Sequence, residues 1–212
     1  MPVADEARGS GAVRCLLQRA QPLPHSRDRG CRARDAAFDA AWSAVAYEGA
    51  ARDVLHALKF AAARPLAGVM AQQIAAAAPD ELLRYDGASL VAVPPHPARR
   101  RSRGFDPAGL LVHALARASR MPVLAALRRS GAGSRQLGAS RETRLAGARL
   151  GFTARGLAPP HVVLVDDVYT TGATLDACAR ALRAAGAQRV IAITWARTCD
   201  VPTSVETNRC QA

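Results

Sequence analysis

The hydrophobic positions along the chain follow two patterns, of which the first is helical. In four segments apolar side chains recur at a spacing that places them on one face of a helix. Proline at the start of two of these segments and Gly186 after the last are typical helix-boundary signals. The pattern predicts helices over residues 53–60, 65–83, 106–120 and 174–185.

The second pattern consists of short apolar runs, which predict strands. The runs at 89–93, 162–165 and 190–195 are rich in valine, leucine and isoleucine, and the first stops at two consecutive prolines, where a strand is expected to end. Residues 121–127 are expected to form a further short strand. Because strands alternate with helices, the chain is predicted to be an α/β protein with a mainly parallel sheet flanked by helices.

Several segments lack a persistent apolar face. Residues 1–35 are polar and rich in Arg, Gly and Pro, which is typical of a weakly ordered arm. We expect an N-terminal arm over residues 1–45, one folded domain over 46–198 and a C-terminal tail over 199–212. Within the domain, residues 94–104 are predicted to be an arginine-rich loop and residues 128–150 a mobile segment.

Composition adds limited information about function. The 212 residues are 50% apolar, so a real core can form, and the net charge is +12. Nearly all of the positive charge is arginine, with Lys59 as the only lysine, which points to coding bias more than to selection for a basic surface. The positive charge is compatible with a polyanionic partner, either nucleic acid or a phosphorylated metabolite, and does not distinguish between them.

The same sequence favours a cytoplasmic location. It shows no signal peptide, and no apolar stretch approaches the roughly 20 residues that a membrane span requires. The five cysteines form no paired framework, which fits a reducing compartment.

The stretch VVLVDDVYTTGATL, residues 162–175, carries the clearest chemistry. A strand that is apolar on both faces is typical of the centre of a parallel sheet, and Asp166 and Asp167 then emerge at its carboxyl end, where open α/β sheets bind ligands. The repulsion between two adjacent carboxylates must be relieved by a cation or by hydroxyl donors. A sugar diol supplies such donors.

The residues that follow suit a phosphate monoester. Glycine allows close approach of a ligand to the backbone, and the free N–H groups of a helix start favour an anion. Three threonine hydroxyls add donors, so that the whole stretch suits a ribose 5-phosphate. The alternative is a strand, a polar turn and a capped helix without a ligand. The five residues concerned are Thr170, Thr171, Gly172, Ala173 and Thr174, here called the threonine loop.

At these residues the sequence resembles the phosphoribosyl-pyrophosphate (PRPP) signature of type I phosphoribosyltransferases. Further stretches are similar to one branch, the ComF/GntX family of competence-related proteins, and the resemblance covers about residues 45–197. These stretches are Tyr47-Glu48-Gly49, Leu58-Lys59-Phe60, VAVPPHPARRRSRGF at 91–105, Gln136, Arg144 and Phe152.

The resemblance implies a role for each matched position. Asp166 and Asp167 would contact the ribose hydroxyls, and the threonine loop would hold the 5-phosphate. Arg144 would lie in a segment that closes over the site and would take part in catalysis with the two aspartates and Arg103. Mg²⁺ would accompany PRPP. Pyrophosphate would be bound by Pro95, His96, Arg99, Arg103 and Lys59.

The sequence departs from the family pattern at three places. Asp106-Pro107 stands where the family usually has Asn-Gln, and Gly147 where it has asparagine. The arm, residues 1–45, resembles a degenerate remnant of a four-cysteine zinc module. Even with His25 added to Cys15 and Cys31, the arm lacks the four ligands of a structural site, so no zinc is expected.

Three hypotheses follow. The chain is a Mg²⁺-dependent phosphoribosyltransferase with an unidentified acceptor, a non-catalytic PRPP-binding regulator, or an accessory protein of the DNA-uptake machinery with partners there. Direct nucleic-acid binding is not favoured, because the basic run lacks interleaved aromatic residues. A role of His96 in fixing the loop and a role in catalysis are equally consistent with the sequence.

Overall fold

The computed structural model describes residues 36–61, 63–83, 87–129 and 151–198. Strands and helices alternate along most of the described chain. In chain order the elements are β1 (Ala40–Ala46), α1 (Ala50–Phe60), α2 (Leu66–Ala77), α3 (Asp80–Leu83), β2 (Ala88–Ala92), α4 (Pro97–Arg103), α5 (Pro107–Ser119), β3 (Leu127–Arg129), β4 (Phe152–Ala154), β5 (His161–Tyr169), α6 (Ala173–Ala184) and β6 (Arg189–Arg197).

The main sheet has four strands in the order β1-β6-β5-β2, and every neighbouring pair is parallel. β3 and β4 form a separate antiparallel pair. β5 lies between β6 and β2 and packs into a core on each face of the sheet, which explains why its run Val162–Val165 is apolar throughout. The predicted fold class, an α/β protein with a mainly parallel sheet flanked by helices, is confirmed.

The two faces of the sheet carry separate cores. Val163 and Val165 of β5 belong to the core that includes α1, α2 and α5. Val162 and Leu164 belong to the core that includes α6 and the small β3–β4 sheet. Side-chain alternation along β5 therefore sends successive residues to different helical layers.

Strand β1 begins at Ala40, within the segment predicted to be the N-terminal arm. β1 pairs with β6 over its length, and a buried hydrogen bond of 2.6 Å joins the hydroxyls of Ser43 and Thr194. Alanine-rich strands have weak intrinsic β propensity, so the pairing with β6 supplies what the local sequence does not. Residues 1–35 and 199–212 lie outside the described residues.

Two predicted elements also differ in detail. The arginine-rich segment at 94–104 contains helix α4, which runs from Pro97 to Arg103 and is capped by Gly104 in a left-handed conformation (φ 75°). The helix predicted to reach Leu83 ends at Ala77, and α3 follows after Pro79, since proline and the residue before it interrupt helical geometry. The helices predicted over 53–60, 106–120 and 174–185 are present.

The segment 121–127 makes less strand structure than predicted. It contacts the edge of β2 through a single parallel bridge between Leu90 and Val123, and the strand β3 begins only at Leu127. Two residues of the predicted mobile segment, Arg128 and Arg129, belong to β3. Residues 130–150 lie outside the described residues.

Candidate functional site

The carboxyl end of β5 brings the sequence-predicted site residues together. Asp166 and Asp167 follow Val165 on this strand, and the threonine loop follows Tyr169. On the neighbouring strand β2, the N–H of Val93 donates to the carbonyl of Val165 at 2.9 Å. The arginine segment, residues 94–104, therefore begins beside the part of β5 that carries the two aspartates.

Asp167 is paired with the only lysine of the chain. Nζ of Lys59, on the last turn of α1, lies 2.7 Å from Oδ1 of Asp167, and the Asp167 side chain is 10% exposed. The pairing supplies a buried carboxylate with the cation that it needs. Lys59, predicted to bind pyrophosphate, is thus paired with Asp167 in this structure.

Within the described ranges, no cation is paired with Asp166. Its Oδ1 accepts a hydrogen bond of 2.8 Å from the backbone N–H of Asp167. Burial of the carboxyl group raises the pKa of Asp166 well above its usual range, and the Asp167 carboxylate raises it further. Lys59 acts in the opposite direction with a smaller effect. The two neighbouring aspartates therefore have different electrostatic surroundings.

The threonine loop is open to solvent. Thr170 and Thr171 are exposed, and Thr174 is partly exposed in the first turn of α6. Oγ1 of Thr171 accepts from the N–H of Ala173 at 3.4 Å, a long bond that holds the turn weakly. The first N–H groups of a helix have no carbonyl partner within it, so the loop presents donors and no acidic side chain to a ligand.

Gly172 is required by the backbone as well as by a ligand. It has φ 77°, which favours glycine, and a Cβ at this position would lie 2.5 Å from the hydroxyl oxygen of Tyr169. Tyr169 is buried, so its ring has little room to move. A larger residue at 172 would therefore disturb the loop even without a ligand.

The arginine segment meets the site with several charged side chains. The ring Nδ1 of His96 accepts a hydrogen bond of 3.2 Å from the N–H of Ala98 and caps α4, which favours the loop-fixing role over the catalytic one. Pro95 is partly buried and Arg99 is exposed. The Arg103 guanidinium lies 5.4 Å from the ring centroid of Phe60. Arg103 is thus stacked on the helix that carries Lys59.

Asp106 adds a third carboxylate to this region. Its Oδ1 is buried without a hydrogen-bond partner in the described part of the chain. Burial raises the pKa of Asp106, and Asp167 raises it as well, whereas the Gly109 N–H and Arg100 lower it. The departure from the family pattern at Asp106 therefore lies at the site.

Arg129, in the segment predicted to be mobile, interacts electrostatically with Asp166, which the sequence did not indicate. Its guanidinium stacks 5.0 Å from the ring centroid of Phe152. Burial lowers the pKa of Arg129, with a further lowering by Arg99, while the Cys178 and Asp166 groups oppose it. Periodicity gave no signal for Arg129, since its position depends on pairing with β4. Arg144 lies outside the described residues.

The side-chain oxygens of this site suit a metal ion only if the ion also keeps other ligands, such as waters or substrate phosphates. Within the described ranges no cluster of three or more His, Cys, Asp or Glu side chains could hold a metal. Mg²⁺ typically keeps waters and uses one or two carboxylates together with substrate phosphates, which Asp166 and Asp167 can supply. The cysteine and histidine positions considered for zinc lie outside the described residues.

Among the described residues no helix is long and apolar enough to cross a membrane. A comparison with curated proteins finds no match. Residues 104–207 match the family model described as "Phosphoribosyl transferase domain".

Several solved structures are similar to parts of the chain. Glutamine PRPP amidotransferase from B. subtilis is 21% identical, with a TM-score of 0.42, and the match covers 60% of this chain and 25% of that enzyme. The chain thus matches about a quarter of that enzyme's length. Hypoxanthine phosphoribosyltransferase from Staphylococcus aureus is 12% identical (TM-score 0.36; 64% and 67% covered).

Adenine phosphoribosyl transferase from Trypanosoma brucei is 14% identical, with a TM-score of 0.37, and the match covers 74% of this chain and 77% of that one. The family match at 104–207 contains both aspartates and the whole threonine loop. The chain therefore contains a domain segment of the phosphoribosyl transferase type.

Proposed function

We propose that this protein binds PRPP at the carboxyl edge of its sheet and transfers the phosphoribosyl group to an acceptor, with release of pyrophosphate. The observation that carries the proposal is that β5 ends in a pair of carboxylates and leads directly into the open, donor-rich start of helix α6. The distance in sequence between Asp166 and Thr174 suits the two ends of a ribose 5-phosphate.

On the sugar side, Asp166 and Asp167 accept hydrogen bonds from the ribose hydroxyls. Asp167 is held in place by Lys59, and the Asp166 carboxylate by the backbone N–H beside it. Fixed carboxylates near the sugar also favour the positive charge that develops at the anomeric carbon when the leaving group departs.

On the leaving-group side, the arginine segment stabilises the negative charge of pyrophosphate. The charge of Arg99 helps to lower the pKa of the Arg129 guanidinium, and Arg129 in turn interacts electrostatically with Asp166. A concentration of like charge of this kind is unfavourable without an anion and favourable with one. Mg²⁺, when bound with PRPP, neutralises phosphate charge, and Asp166 and Asp167 are the residues that would contact it.

The ComF/GntX branch and its link to DNA uptake belong to the same proposal, as does a cytoplasmic location. Two motifs of the branch, Leu58-Lys59-Phe60 and Arg103-Gly104-Phe105, contact each other through the stacking of Arg103 on Phe60. This contact supports their acting as one unit. Comparison of transformation frequency in a deletion strain and its parent tests the link to DNA uptake.

The threonine loop is best tested by removing hydroxyls. Gly172 variants are unsuitable, because positive φ and Tyr169 penalise any side chain there. We expect Thr171→Val and Thr174→Val each to weaken PRPP binding about tenfold, measured by calorimetry, with little change in melting temperature. Thr153→Val, whose hydroxyl contacts Arg128 on the small sheet, is the matched control. Unchanged PRPP affinity in both loop variants contradicts the site.

Catalysis is tested separately from binding. Purified protein is incubated with PRPP, Mg²⁺ and a panel of nucleophilic acceptors, and pyrophosphate release is followed. Acceptor-dependent release supports the transferase. PRPP binding without release with any acceptor favours the regulator instead.

A further inference from the structure

The end of strand β6 is attached to the threonine loop. Arg197, the last residue of β6, is the register partner of Tyr169, the last residue of β5. The next N–H, that of Thr198, donates to the Tyr169 carbonyl at 2.9 Å, and the Thr198 hydroxyl lies 3.4 Å from the carbonyl of Thr170. The end of β6 and the start of the threonine loop are therefore joined by hydrogen bonds.

A single aromatic ring connects Arg197 with the loop. The Arg197 guanidinium carbon lies 5.1 Å from the ring centroid of Tyr169, within the range of a cation–π contact. The hydroxyl end of that same ring lies against Gly172, at the contact that excludes a side chain there. Because the Tyr169 ring is only 4% exposed, it positions the guanidinium relative to the loop.

The loop lacks a cation of its own. Between Thr170 and Thr174 there is no basic residue, so its amides and hydroxyls offer dipoles to a phosphate but no positive charge. Within the described ranges no carboxylate is paired with Arg197, whereas Arg180 and Arg183 are paired with Asp176 and Asp39. A half-buried guanidinium without a counter-ion beside an anion-binding loop fits phosphate recognition.

We propose that Arg197 is the cation of the 5-phosphate subsite, stacked on Tyr169 so that it faces the threonine loop. This inference rests on the proposed function, because it assigns a residue to the same site. Pyrophosphate, bound at the arginine segment on the other side of β5, should be insensitive to Arg197.

Variants at Arg197 separate a charge effect from a packing effect. Arg197→Met keeps an unbranched, polarisable side chain over the ring and removes the charge. Arg197→Lys keeps the charge and loses the planar stack. Arg52 provides a matched control, since its guanidinium stacks on Tyr47 at 5.6 Å beside the end of β1, two strands from β5. Arg52→Met therefore removes the same kind of contact away from the loop.

The measurement is calorimetric affinity for ribose 5-phosphate and, separately, for pyrophosphate, at low and moderate salt, together with melting temperature. We expect Arg197→Met to weaken ribose 5-phosphate binding about tenfold with pyrophosphate affinity unchanged, a smaller loss for Arg197→Lys, and none for Arg52→Met. The loss should diminish as salt increases.

Two results overturn the assignment. Unchanged ribose 5-phosphate affinity in Arg197→Met shows that the guanidinium does not contact the phosphate. Equal weakening of both ligands, or equal weakening in the Lys and Met variants, shows a structural role. Wild-type protein that binds neither PRPP nor ribose 5-phosphate refutes the proposed function itself and this inference with it, and that failure is visible before any variant is made.

Discussion

The carboxylates of Asp166 and Asp167, on the two faces of β5, have different charged and polar partners. On the face covered by α1, α2 and α5, Asp167 is paired at 2.7 Å with Lys59. On the face covered by α6 and the small sheet, Asp166 has a backbone N–H as its hydrogen-bond donor and lies near the buried thiol of Cys178. Burial raises the pKa of that thiol well above its usual range, and the Asp166 charge raises it further.

This difference assigns separate properties to two residues that look equivalent in sequence. Asp167 is paired with a cation without a ligand, whereas Asp166 has a raised pKa and only a backbone N–H as its hydrogen-bond donor among the described residues. Asp166 is thus the carboxyl group that is buried without a paired cation in the described part of the free protein. Such an exception to polar satisfaction is expected at a functional site.

The largest effect should follow removal of the cation from the compensated face. Lys59→Met leaves the Asp167 carboxylate buried beside Asp166, so we expect the free energy of unfolding at neutral pH to fall by about 2–3 kcal/mol. Urea denaturation at neutral pH measures this loss of stability.

Two controls accompany the Lys59 variant. Arg52→Met removes a positive charge from the same helix at an exposed position and should change stability little. Lys59→Met combined with Asp167→Asn should recover part of the loss, because no buried charge is left unpaired. A Lys59→Met protein as stable as the wild type would mean that the ion pair does not compensate Asp167.

A smaller effect of opposite sign is expected on the other face. Asp166→Asn keeps the oxygen that accepts from the Asp167 N–H and removes an uncompensated charge, so the free protein should become more stable by about 1 kcal/mol at neutral pH. PRPP binding should weaken at the same time. Stabilisation with loss of affinity identifies a carboxylate retained for its ligand.

The pH dependence gives this prediction its sign. The folded pKa of Asp166 is raised, so between the unfolded value of about 3.9 and the folded value the native state binds more protons than the unfolded state. Stability therefore falls as pH rises through that window, and Asp166→Asn should abolish this part of the fall. A stability difference between variant and wild type that is the same at pH 4 and pH 8 would contradict it.

The sequence predicted the parts of this site that depend on local pattern. The strand ending in Asp166 and the helix after Gly172 follow from a continuous apolar run and a glycine at a helix boundary. Lys59 is conspicuous in the sequence as the only lysine. Its partner Asp167 lies 108 residues away, and the packing of α1 against the sheet brings the two side chains together.

Elements that depend on tertiary pairing could not be predicted in the same way. β1 consists largely of alanine and is a strand because β6 provides its hydrogen-bond partners. Arg129 reaches the site through β3–β4 pairing, which nothing in its own segment indicates. Helix α4 is a different case, since Pro97 at its start and Gly104 at its end were local signals that the run of arginines obscured.

The smallest effect is expected at Asp106, which lies near Asp167 but is not paired with Lys59. Removal of its charge should relieve part of the cost of burial and lose part of the favourable interaction with the start of α5, so Asp106→Asn should change the free energy of unfolding by no more than about 0.5 kcal/mol. The effect of Asp106→Asn on ligand affinity should be easier to detect than its effect on stability. Arg100 and Asp106 interact, and without the carboxylate the arginine segment becomes more positive.

We therefore expect Asp106→Asn to bind pyrophosphate a few-fold more tightly, because a negative charge that repels the anion is removed from a partly buried position. Ribose 5-phosphate affinity should stay the same. Calorimetry at low salt measures both ligands, and Asp53→Asn, an exposed aspartate in the first turn of α1, is the control for the change in net charge. Equal tightening by Asp53→Asn would attribute the gain to net charge alone. Weaker pyrophosphate binding in Asp106→Asn would show instead that the carboxylate orients Arg100 for the ligand. The face of β5 that carries Asp167 would then contain two carboxylates paired with cations, where we infer one.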